Sequence, residues 1–283
     1  MIRRIIVTGS AGLLGRHVCR RLFSDGHDIT GIDLTALPDA EWPQVKADLT
    51  DLGVAFELIR NADVVVHIAS IPRPSGLANA EVFRVNTALN YNVTEAAALS
   101  GARRFLYASS ISILGYPFGR RFLSPRYLPI DAEHPAAPQD SYGLSKWLGE
   151  EVVDAAVRRG AFSAVTLRMP WIQTPDSFGA TILPRRQTPE AARDLWAYLD
   201  ARDAAEGFSA ALSWTGSAHL RVYLSALDSY AQHSSNTLVA EAFPEVEMRK
   251  PIDGHASLID TEPAARLLGF RASHSWRDYD LIE

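Results

Sequence analysis

At 283 residues, 47% apolar and 22% charged, the chain is long enough for one large α/β domain with a small appended lobe, and a core of that size needs no disulfides. A net charge of −5 argues against nucleic acid or an anionic membrane as partner, since both favour a basic face. No apolar run approaches the roughly 20 residues that span a bilayer, and the single cysteine, Cys19, leaves no intrachain disulfide and points to a reducing cytoplasm.

The apolar start, residues 1–7, looks like the front of a signal peptide until Gly9, Ser10 and Gly12 interrupt it; Ile5-Ile6-Val7 reads as a short buried strand. A helix follows over residues 12–24, where Cys19 sits beside Val18 and Leu22 as a small hydrophobe. Residues 28–33 form the next strand, 54–60 a helix, and Asp63 to His67 an apolar strand. Val82, Val85, Leu89, Val93 and Ala96 recur at helical spacing over residues 80–99. Strands over 104–108 and 165–167 flank a long helix over 142–159. This alternation predicts an α/β fold, a Rossmann-type doubly wound parallel sheet with helices on both faces. Residues 170–190, broken by Pro175, Pro184 and Pro189, read as loop. Beyond them the pattern gives strands over 195–199 and 222–224 and helices over 201–212, 234–243 and 262–268, the last capped by Asp260 or Thr261. The expected division is a dinucleotide-binding domain over 1–170 and a small substrate lobe over 171–283, interleaved with elements that return to the sheet.

Gly9, Gly12 and Gly15 punctuate the turn between the first strand and the first helix. Glycine there allows a tight turn and close approach of backbone to a pyrophosphate, while the helix N-terminus offers free N–H groups and partial positive charge. Three glycines at that spacing are weak evidence alone, and a glycine-rich turn that binds nothing is the plain alternative; the strand–turn–helix setting strengthens the reading. Asp33 ends the second strand, 24 residues after Gly9, near the offset where a carboxylate accepts from the adenosine ribose hydroxyls. A 2′-phosphate would be repelled there, so NAD is expected over NADP.

Tyr142 and Lys146 stand four residues apart, and on a helix they share a face. An ammonium beside a phenol favours the phenolate, which can pass a proton to or from a substrate oxygen as hydride moves. The pair alone arises often by chance. However, Thr8–Gly15, Asp33, Asp48-Leu49, His67-Ile68-Ala69, Ala108–Gly115 and Tyr142–Lys146 occur in one order, and that series resembles the extended short-chain dehydrogenase/reductases, the NAD-dependent epimerase/dehydratase family. The resemblance covers residues 3–215 and continues faintly through Leu258–Phe270.

The resemblance implies Tyr142 as acid/base, Lys146 as the group that lowers its pKa and binds the nicotinamide ribose, and Ser110 as the hydroxyl on the substrate oxygen. Ser109 is the less favoured serine. It further implies that Gly9, Ala11, Gly12, Leu13, Leu14, Gly15, Asp33, Leu34, Asp48, Leu49, Ile68, Ala69, Ser70, Asn86 and Pro170 line the cofactor with Tyr142 and Lys146. Ser70, Ser110, Ile111, Ser112 and Tyr142 would meet substrate, and the protein would be a homodimer. Trp147 reads as an interface or a core residue. Leu114 stands where the family has tyrosine, Ser70 where alanine is common, and no Thr-Asp-Glu triplet marks a sugar 4,6-dehydratase. His67 reads as a packed strand-end residue, and the acids and histidines show no metal-ligand spacing, so no metal is expected.

Only 26 residues separate Pro170 from Ala197, a short segment that suits a small free sugar, uronic acid or hydroxy-ketone. Arg73, Arg120, Arg121, Arg126, Arg185 and Arg186 fall in loops expected on the substrate side, where guanidinium forks suit carboxylate or phosphate. Three readings follow. The first is an NAD-dependent oxidoreductase acting on a secondary alcohol or ketone of a small polar substrate. The second is a sugar epimerase with transient oxidation, and the third a non-catalytic dinucleotide-binding regulator.

Overall fold

The computed structural model describes residues 3–74, 76–186 and 188–279. β1 (Arg4–Thr8) runs into α1 (Leu13–Ser24), β2 (Asp28–Asp33) and β3 (Gln44–Lys46), and α2 (Leu52–Ile59) leads to β4 (Val64–His67), α3 (Asn79–Leu99) and β5 (Arg104–Ser110). A short strand β6 (Tyr127–Leu128) precedes α4 (Ser141–Arg158), β7 (Ser163–Met169) and β8 (Trp171–Gln173). α5 (Pro175–Ser177) and α6 (Leu183–Arg186) frame a π-helical stretch, Phe178–Ile182. β9 (Tyr198–Asp200), α7 (Ala201–Leu212), β10 (His219–Tyr223), α8 (Ser235–Ala242), β11 (Glu247–Met248) and α9 (Glu262–Leu268) follow.

Seven strands form one parallel sheet in the order β3-β2-β1-β4-β5-β7-β10. Strand order reverses between β1 and β4, and the crevice beyond their carboxyl ends is where doubly wound sheets bind ligands. The apolar runs exist because both faces are covered. α1 and α7 pack Val18, Leu22, Phe208 and Leu212 on one face, whereas α2, α3 and α4 pack Ile59, Val93, Ala96 and Val153 on the other. Truncating one of those leucines or phenylalanines to alanine is worth about 2–5 kcal/mol. Cys19 is buried in the first layer, and burial pushes its thiol up to about 12.

A third apolar cluster, with Phe178, Ile182, Tyr198, Phe243 and Trp276, gathers segments that follow β5 and β7. Here the structure departs from the sequence expectations. Residues 175–186 are helical, because Pro175 occupies a first helical position where its missing N–H costs nothing. Pro189 likewise opens a 3₁₀ turn. Leu195 and Trp196 adopt φ of +58° and +48°, so they make a turn, and the strand begins at Tyr198. Their apolar character reflects burial in this cluster.

Candidate active site

The glycine turn is shaped by contacts that exclude side chains. Gly9 takes φ +73°, and a Cβ built on it would lie 2.6 Å from the backbone nitrogen of Ala69. A Cβ on Gly15 would collide with the carbonyl of Gly9. Gly12 caps α1 without any side-chain hydrogen bond, and no acid occupies the first helical turn. The N–H groups behind Leu13 and Leu14 are therefore open to an anion. Ala11 N–H donates to Asp33 Oδ2 at 3.0 Å, and Thr35 holds Asp33 Oδ1, which fixes the carboxylate at the mouth of the turn. Leu34 beside it is 59% exposed, an open apolar face.

Two further walls are tied down. Asp48 accepts from the N–H and hydroxyl of Thr50, which hold its carboxyl below the usual range. Asn92 on α3 donates to the carbonyls of Leu49 and Thr50. Across the crevice, the Thr8 hydroxyl accepts from the N–H groups of Ile68 and Ala69 at 3.2 Å each. Thr8 opens the Thr8–Gly15 motif but has no role assigned from the sequence, and Asn92 shows there only as an asparagine amid apolar helix positions.

At the end of β5, Ser110 Oγ caps a short turn by accepting from Ser112 N–H at 3.1 Å. It also donates to Ser112 Oγ at 3.1 Å. Asp140 caps α4 through Gly143 N–H, which starts the helix so that Tyr142 and Lys146 face β5. Lys146 Nζ donates to the Ala108 carbonyl at 2.8 Å and lies 5.8 Å from the centroid of the Tyr142 ring. Ser110, Tyr142 and Lys146 are each at most 9% exposed, so the structure gathers all three in one buried place. Ile111 and Ser112 adjoin them, and Pro170 is buried at the end of β7.

The electrostatics differ from the sequence expectation. Burial pushes Tyr142 up to about 12, with the neighbouring Ser110 side chain working against it. Burial pulls Lys146 down to about 7, opposed by Glu150. Desolvation is therefore the largest influence on both groups.

Other residues sort by location. Ser109 donates to the buried carboxylate of Glu150 at 2.6 Å, away from Ser110. His67 is buried between Thr8 and Asn90, and burial holds it neutral, with a pKa of about 3. Asn86 is also buried, its amide taken up by Ile71 and Ser145, so it stands behind the channel wall. Arg185 and Arg186 stand on helix α6, not in a loop; Arg185 is paired to Asp194, and Arg186 packs over Trp276. Arg73, Arg121 and Arg126 are exposed. Arg120 and Phe118 line a cleft of about 560 Å³ over the start of α4, and Phe118 meets the Tyr142 ring edge-on at 6.1 Å. Sequence reading missed Phe118, whose aromatic side chain lies in an otherwise unpatterned loop.

The sequence profile of the NAD dependent epimerase/dehydratase family matches residues 5–223. An L-arabinose 1-dehydrogenase (NAD(P)(+)) from Haloferax volcanii is 31% identical over 198 residues, 68% of this chain and 76% of that protein. A uronate dehydrogenase from Pseudomonas putida is 28% identical over 170 residues, 59% of this chain and 60% of that one. Nucleotide-sugar epimerases are matched over less than half of their own length. Among solved structures, a short-chain dehydrogenase/reductase superfamily protein from Agrobacterium tumefaciens with bound NAD superposes with a TM-score of 0.75 at 25% identity, covering 96% of this chain and 93% of that one.

Proposed function

We propose that this chain, which belongs to the NAD-dependent epimerase/dehydratase family, is an NAD-dependent dehydrogenase that oxidises a secondary alcohol of a small sugar or uronic acid. The observation that carries the reading is the burial of Ser110, Tyr142 and Lys146 together at the end of β5, two strands along the same sheet from the glycine turn. NAD, when bound, supplies the hydride acceptor and a positive nicotinamide ring. Tyr142 takes the proton from the substrate hydroxyl, Ser110 holds that oxygen, and Lys146 favours the phenolate and binds the ribose. The open N–H groups of α1 take the pyrophosphate, and Asp33 takes the adenosine ribose.

The substrate reading rests on space and charge. The segment after Pro170 is folded tightly as β8, α5 and α6 with Phe178 and Ile182 in the lobe core, which favours a small molecule. A cleft of about 560 Å³ fits one sugar with room for water. Of the six arginines expected on the substrate side, Arg120 lines that cleft. A screen of NAD with L-arabinose, other free sugars, uronic acids and simple secondary alcohols, followed by NADH absorbance, tests the proposal; no NADH with any of them contradicts it.

The second reading is an epimerase, favoured by the match to nucleotide-sugar epimerases. It predicts substrate inversion with no net NADH. We also place the protein in the cytoplasm, where a buried unpaired cysteine is at home. No helix among the described residues is long and apolar enough to cross a membrane. Tyr91, Leu99 and Trp147 are exposed on the paired helices α3 and α4, and this face is the proposed homodimer contact; light scattering at monomer mass would overturn it.

A further inference from the structure

Between β5 and β6 the chain turns at Gly115 and carries Phe118, Gly119, Arg120 and Arg121 past the start of α4. Its backbone is tied down on both flanks. Gly115 adopts φ +79° against the Ala137 carbonyl, whose oxygen would lie 2.0 Å from a Cβ built there. The Gln139 side chain, one residue before the Asp140 cap, acts as a strand partner for the loop. Its Nε2 donates to the carbonyls of Gly115 and Arg121 at 2.8 and 3.0 Å. Its Oε1 accepts from Arg121 N–H at 3.2 Å. From the lobe, Arg193 donates to the Gly119 carbonyl at 2.9 Å and lies over the Phe122 ring, which also stacks on Phe243.

This scaffold presents two exposed side chains, Phe118 and Arg120, to the cleft of about 560 Å³. Phe118 meets the Tyr142 ring edge-on at 6.1 Å, so one wall of the cleft rests on the phenol that moves the proton. Among the described residues, Arg120 and Asp140 are the charged groups that line it. Asp140 spends its carboxylate on the helix cap: Oδ1 accepts from Gly143 N–H at 2.8 Å, and Oδ2 is buried. The guanidinium is therefore the charge that the cleft offers a ligand. Its fork matches the oxygens of a carboxylate or phosphate, and the phenyl beside it offers an apolar face to the C–H groups of a sugar ring. Because Gln139 and Arg193 hold the loop in advance, a ligand need not order it on binding.

We infer that residues 115–122 form a specificity loop, in which Arg120 grips an anionic group on a sugar whose ring lies against Phe118. The substrate class is then a sugar bearing a carboxylate or a phosphate, and neutral sugars are the poorer substrates because they lack the group that Arg120 holds. The inference rests on the dehydrogenase reading above and narrows it.

The test compares D-galacturonate, D-galactose 6-phosphate and D-galactose, which differ only at the sixth carbon, in the parent, Arg120→Gln and Arg120→Lys. The parent should use one of the two anions with kcat/KM about tenfold or more above galactose, and which one it uses identifies the group as carboxylate or phosphate. Arg120→Gln should raise KM for that anion about tenfold or more, with its kcat and the rate on galactose within about twofold. Arg120→Lys keeps the charge without the fork and should recover part of the preference. A purely structural role would lower all three substrates together. Equal losses on anion and galactose in Arg120→Gln, or a parent that uses galactose as well as the anions, overturn the inference. If none of the three is oxidised, the dehydrogenase reading fails for these sugars, and calorimetric binding of the two anions to the NAD-loaded proteins decides the loop. Binding weakened about tenfold in Arg120→Gln supports it; unchanged binding, or none to the parent, overturns it.

Discussion

Lys146 Nζ donates to the carbonyl of Ala108 at 2.8 Å, so the helix bearing Tyr142 is fixed to the strand bearing Ser110 by the side chain that tunes the site. Oxidation needs the Tyr142 phenolate, and burial pushes that phenol up to about 12. Turnover in the oxidative direction should therefore rise with pH. Lys146→Met removes the ammonium, should move the acidic limb of the kcat profile up by about one pH unit or more, and should cut kcat about 100-fold near neutrality. A profile unchanged in position would count against the role of Lys146.

Asp33 is held at the mouth of the glycine turn by Ala11 N–H. Its charge opposes a 2′-phosphate, so Asp33→Ser should shift the ratio of kcat/KM for NAD over NADP toward NADP by about tenfold or more. Parallel kinetics with both cofactors read this directly, and a parent protein that prefers NADP would sink the assignment.

Stability should fall on the acid side. His67 and His219 are pulled to about 3 and about 4, mainly by burial, and His134 is lowered by the same cause. Their unfolded values are near 6.5, so the unfolded chain gains protons first as pH drops. The destabilisation begins below about pH 6.5 and grows until each folded value is passed. Tm at pH 7 and pH 5 checks the sign; equal or higher Tm at pH 5 would contradict it.

Arg168 and Glu150 form a forked, buried ion pair, 7% and 1% exposed, with Ser109 on one oxygen. Arg168→Met strands a buried carboxylate, although Arg221 remains 3.3 Å away as partial compensation. The expected loss is about 3–5 kcal/mol in denaturant unfolding. A loss under about 1 kcal/mol would mean the carboxylate is solvated or neutral.

Much of the parallel sheet was legible because strands buried on both faces must be continuously apolar, as at Val64-Val65-Val66 and Phe105-Leu106-Tyr107. β3, β6, β8 and β11 were not, since two or three residues carry no period to read. Proline misled at Pro175 and Pro189, where it begins helical turns, and an apolar run misled at Leu195-Trp196, where burial and not strand geometry selects the residues. Ser110, Tyr142 and Lys146 could be named in advance because their spacing carries chemistry. Asn90 and Phe118 act through contacts across the fold, which adjacency in sequence does not encode.

The most direct measurement is Tyr142→Phe, which removes one hydroxyl from an otherwise intact, NAD-loaded protein. The account predicts NAD affinity within about twofold of the parent and NADH formation lowered by about 100-fold or more on the best substrate of the screen. NADH formation at the parental rate would contradict the assignment of proton transfer to Tyr142.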